Sequence, residues 1–101
     1  MTISYGFHAT MTAHPGKGDE LVEILLASAS LTDEGCAVFL VGRSAADPDV
    51  VHVTEGWTDE ETHHRFFATD VAKEGMARIQ PLIAGEPEYV DEVPIGGKAA
   101  I

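Results

Sequence analysis

Cysteine, basic charge and long apolar runs are all scarce in this chain, and each scarcity removes a class of function. The one cysteine, Cys36, excludes an internal disulfide and makes a thiolate zinc site implausible. Its place in an apolar run suggests a small buried hydrophobe rather than a nucleophile. Six Lys and Arg stand against seventeen Asp and Glu, a formal net charge of -11. That leaves no basic surface for nucleic acid or an anionic membrane, both of which require phosphate neutralisation. No segment approaches the eighteen or so uninterrupted apolar residues of a membrane span, and Met1-Thr2-Ile3-Ser4-Tyr5 has no basic stretch leading an apolar one. The expectation is a cytoplasmic protein. What is present suffices for one globular domain: 101 residues, 45% of them hydrophobic, predicted to fold over residues 1–95 with a flexible tail at 96–101.

From Ile3 to His14 the chain alternates, with Ile3, Tyr5, Phe7, Ala9, Met11 and Ala13 on one face of a predicted strand. Pro15-Gly16-Lys17-Gly18 breaks it. Leu21, Ile24, Leu25, Ser28 and Leu31 then recur at helical spacing and predict an amphipathic helix to about Leu31. The Gly-Lys-Gly does not match a phosphate loop, because the first glycine and the Ser or Thr after the lysine are missing. The run from Cys36 to Gly42 predicts a largely buried strand, joined as a hairpin to a second one from Val50 to Trp57. Thr58 followed by Glu61 has the spacing of a capping box and predicts a helix start beside Trp57. The helical region runs from Asp59 to about Ile83, broken near Thr69-Asp70 with Asp70 as a candidate cap, and Pro81 and Gly85 end it. A last strand is predicted from Glu88 to Ile95.

The order strand, helix, strand, strand, helix, strand is that of an α+β ferredoxin-like sandwich, a four-stranded antiparallel sheet with two helical regions on one face. Such a sheet leaves its other face open, and a homodimer through that face is the obvious cover.

The chain resembles the antibiotic biosynthesis monooxygenase family, small dimeric ferredoxin-like proteins that include cofactor-independent quinol and anthrone oxygenases and haem-degrading enzymes. The resemblance rests on His14-Pro15-Gly16-Lys17, Glu34-Gly35-Cys36, Asp47-Pro48, Glu55-Gly56-Trp57-Thr58-Asp59-Glu60-Glu61 and Pro81-Leu82-Ile83-Ala84-Gly85-Glu86-Pro87, which together span nearly the whole chain. Many members carry a helix histidine nine or ten residues after the tryptophan; here Phe66 and Phe67 stand there, and His63 and His64 lie about one turn earlier. The haem-degrading chemistry, which needs that histidine as an iron ligand, is accordingly the third reading.

His63 shares a helix face with Phe66 and Phe67, which point inward, whereas His64 is placed for a surface pair with Glu60. His52 lies an odd number of residues from Trp57 and so faces the other side of the sheet. The histidines make no i, i+4 pair or His-x-His, so no metal site is expected, and no Gly-x-Ser-x-Gly pattern suggests acyl transfer. The resemblance then implies a cofactor-free monooxygenase that turns an electron-rich quinol, anthrone or polyphenol into a quinone with dioxygen. His63 is the expected base and Arg78 the expected oxyanion partner. Trp57, Phe67, Phe7, Met11 and Tyr5 are the expected substrate-packing residues, with Trp57 at the pocket mouth. The rival is a non-catalytic dimeric module that binds a small ligand or fills its own pocket.

Overall fold

The computed structural model describes residues 2–101. Four strands, β1 (Tyr5–Thr12), β2 (Cys36–Arg43), β3 (Val50–Trp57) and β4 (Glu88–Glu92), form one sheet in the order β2-β3-β1-β4. Every neighbouring pair is antiparallel. Three helices, α1 (Gly18–Leu26), α2 (Glu60–Phe67) and α3 (Asp70–Ile79), accompany it. This is the ferredoxin-like α+β arrangement.

The alternation in β1 sets the layers. Phe7, Ala9 and Met11 are buried and pair across to Glu55, Val53 and Val51, so the odd-numbered residues of both strands share one face. Leu21 and Leu25 of α1 and Ile79 of α3 complete the core. Leu21 is fully buried, and cutting it back to Ala would cost about 2–5 kcal/mol.

The entry to α1 is tied to the hairpin between β2 and β3. The Asp49 carboxylate accepts from the backbone N–H of Gly16 at 3.1 Å, just ahead of the cap Lys17, and of Gly18 at 2.9 Å, the second being a helix-start donor with no partner inside the helix. Gly18 is obligatory there, since a Cβ would overlap the Pro48 carbonyl oxygen.

Several boundaries differ from the sequence expectation. Helix α1 stops at Leu26 rather than Leu31: Ser28 is extended and its hydroxyl accepts from Ser30 N–H, starting a separate 3-10 turn over Ala29–Thr32. Leu31 is 46% exposed and belongs to no buried stripe. The cap of α2 is Asp59, whose carboxylate accepts from Thr62 N–H at 2.7 Å. Thr58 is committed to the sheet end, its N–H donating to Gly35 O and its carbonyl accepting from Ser4. The cap of α3 is Thr69 instead of Asp70. Strand β2 is only partly buried because it is an edge strand, and β4 ends at Glu92, short of Ile95.

Candidate active site

Between the sheet and the helices lies a cavity of about 150 Å3. Its floor is the odd face of the sheet, with Phe7, Met11, Phe39, Glu55 and Tyr89. Its roof is His63, Phe66 and Phe67 of α2 together with Val71, Met76 and Arg78 of α3. The break between α2 and α3 at Ala68 and Thr69 is what lets both helices turn toward the same space.

His63 stands in a box of rings. Its imidazole lies 5.5 Å from Tyr5, 5.2 Å from Phe7, 5.1 Å from Trp57 and 5.7 Å from Phe67, centroid to centroid, all tilted or edge-on. Nδ1 is buried with no hydrogen-bond partner among the described residues, a deficit worth about 1–3 kcal/mol in a folded protein. Burial among these rings, then the neighbouring His64, pulls the imidazole below its ordinary pKa, so the ring is neutral at neutral pH.

The expected packing residues divide. Phe7, Met11 and Phe67 line the cavity, Phe67 at the rim with 42% exposure. Trp57 and Tyr5 do not. Trp57 is 0% exposed, placed behind the wall rather than at the mouth, against Phe66 at 5.3 Å as well as His63. The physical reason is position: Trp57 is the last residue of β3, and α2 begins three residues later and closes over it. Tyr5 packs tilted against Phe7 at 6.0 Å and against His63, outside the cavity lining. Arg78 is an exposed side chain at the cavity rim. His64 faces outward, 3.9 Å from Glu60, and His52 sits on the open sheet face with Thr10.

Glu55 is the site residue that the sequence expectation omitted. It projects from β3 onto the helix face, between Phe7 and Phe39 of the adjoining strands. Its Oε1 accepts from Trp57 Nε1–H at 2.8 Å. Burial pushes its carboxyl up to about 7, against the smaller opposing pull of that hydrogen bond. The signal was available: Val51, Val53, Glu55 and Trp57 alternate on one face, and a carboxyl in such a row has to be accommodated by the core.

The antibiotic biosynthesis monooxygenase family model matches residues 4–78, which hold β1 to β3 and the whole roof of the cavity. The chain belongs to that family. A crystal structure from Chloroflexus aurantiacus J-10-fl, assigned as an antibiotic biosynthesis monooxygenase, is 35% identical and superposes with a TM-score of 0.85 over 94% of this chain and 96% of the other. A Caulobacter crescentus structure with the same assignment is 24% identical with a TM-score of 0.81, covering 94% of this chain and 92% of its own. One from Nitrosomonas europaea keeps a TM-score of 0.85 at 14% identity, over 94% and 93%. The last two speak for the fold alone. None of the curated proteins matches. No helix among the described residues is long and apolar enough to cross a membrane.

Proposed function

We propose that this member of the antibiotic biosynthesis monooxygenase family is a cofactor-independent monooxygenase of an electron-rich aromatic hydroxyl compound, and that the compound is the size of a single-ring quinol. The observation that carries the reading is His63: a neutral imidazole with an unsatisfied ring nitrogen, held by aromatic rings at the wall of an apolar cavity. A cavity of about 150 Å3 is the size that accepts one benzene ring, which favours a quinol over a tricyclic anthrone while Phe67 holds its position.

His63 takes the hydroxyl proton of the substrate. The anion passes one electron to dioxygen, and the radical pair joins at a ring carbon to form a peroxide, which loses water to leave a new carbonyl. One dioxygen is consumed, one oxygen atom enters the product and the other leaves as water. Apolar walls from Phe7, Met11 and Phe66 keep bulk water from the anion and the peroxide. Arg78, at the rim, supplies positive charge for the oxyanion. A homodimer through the open sheet face belongs to the same proposal. That face and the segment after β4 enclose a groove of about 650 Å3 with Ile3, Val38, Leu40 and Pro94 in its walls.

The test is oxygen uptake on methylhydroquinone under labelled dioxygen. The wild type is expected to place one labelled atom in the quinone above the rate of autoxidation, and His63→Ala to lose about 100-fold or more. Full activity in His63→Ala would remove the base assignment, and a wild type that incorporates no label would leave the ligand-binding module as the reading.

A further inference from the structure

The oxygenation reading leaves one proton without a carrier. After the peroxide has formed at a ring carbon, that carbon's hydrogen must leave as a proton, and the departing oxygen must gain one. His63 has by then returned the hydroxyl proton to the peroxide.

Glu55 is the group placed for this. It lines the same cavity as His63 but from the sheet rather than the helix, and Trp57 links the two. The indole donates to Glu55 Oε1 at 2.8 Å while its ring packs 5.1 Å from the imidazole. Oε1 is thereby held by the indole. Phe7 adjoins both groups, pairing with Glu55 across the strands and meeting His63 at 5.2 Å.

The titratable side chains facing Glu55 are Tyr5 on β1, Cys36 on β2 and Tyr89 on β4, with His63 and Arg78 at the cavity from α2 and α3. Burial raises the two phenols and the thiol above their ordinary values, so all three are neutral at neutral pH. Glu55 itself titrates at about 7, where a group can both take and give a proton.

Resting on the oxygenation reading, we propose that Glu55 is a second catalytic residue, which carries the ring C–H proton to the departing oxygen as the peroxide collapses to the quinone. The Glu55 carboxylate takes the proton, and the C–H electron pair becomes the second bond of the new C=O. The O–O bond breaks with its pair on the outer oxygen, and the hydroxide so formed takes the proton from the Glu55 carboxyl and leaves as water. Glu55 ends as it began, and no outside reductant is required.

Glu55→Gln tests this, since the amide oxygen still accepts from the Trp57 indole but the side chain can carry no proton. With methylhydroquinone under labelled dioxygen, the variant is expected to keep the oxygen-uptake step while labelled quinone forms about 100-fold or more slowly, the difference appearing as hydroperoxide or released hydrogen peroxide. Glu55→Asp is expected to recover part of the quinone yield. Labelled quinone at the wild-type rate in Glu55→Gln overturns the proposal and leaves the oxygenation reading standing. So does an equal loss of uptake and quinone with no peroxide. A wild type that takes up no oxygen overturns both.

Discussion

Glu55→Gln is also the sharpest probe of the site's electrostatics in the resting protein. A carboxyl whose folded value lies above its unfolded one holds its proton more tightly in the fold. Its contribution to stability is therefore fully present below the unfolded value, and is lost as pH rises through the folded one. For Glu55 these are an ordinary value of 4.5 and about 7. Between pH 5 and pH 8 the linkage amounts to about 2–3 kcal/mol. His63 works in the opposite sense, because its lowered value makes stability rise with pH, so the wild-type curve alone mixes the two. Both proteins keep His63, and their difference isolates Glu55. Urea unfolding at pH 5 and pH 8 is expected to show the wild type losing about 2–3 kcal/mol relative to Glu55→Gln, equivalent to roughly 10 °C or more in Tm for a domain of this size. If the two proteins run parallel over that range, Glu55 is not desolvated and the acid–base role assigned to it fails.

The remaining expectations concern the scaffold, the cavity and the open face. Asp49→Ala removes both acceptors at the start of α1 and is expected to cost about 1–2 kcal/mol in urea unfolding; a neutral result would show that water replaces the carboxylate. Gly18→Ala sets a methyl group against backbone and is expected to cost more than Asp49→Ala, by the same measurement. Phe67→Ala opens the cavity rim and is expected to raise kcat/KM for a tricyclic anthrone relative to methylhydroquinone, whereas an unchanged ratio would locate the size limit elsewhere. Sedimentation at micromolar concentration is expected to give a dimer, and a monomer there would count against the open face as a self-interface.

The fold was legible because its signals are periodic and redundant. Four alternating residues in β1, Tyr5, Phe7, Ala9 and Met11, fix a face, and the register to β3 then places Val51, Val53 and Trp57 on that face without further information. The boundaries were not legible, because each turned on a contact from elsewhere in the chain. Thr58 has the spacing of a cap, yet its backbone is held by Gly35 and Ser4, so the cap passes to Asp59. The start of α1 depends on Asp49, thirty-one residues beyond Gly18.

In the site, periodicity brought His63 to the interior and sent His52 and His64 outward, since face arithmetic on a strand and on a short helix suffices for that. Depth is a different quantity, and parity does not carry it. Trp57 shares the helix-facing side with the cavity floor, but α2 begins so soon after it that the indole is sealed, leaving its N–H able to reach only a near neighbour. Two residues back on the same face, Glu55 is that neighbour. A tryptophan buried this completely needs an acceptor, and a carboxyl between two phenylalanines needs a donor. Each thus explains the other's position, and the carboxyl is brought to the cavity wall as a consequence. The i, i+2 pairing of Glu55 with Trp57, rather than the histidine count, is the feature of this strand that carries chemistry into the cavity.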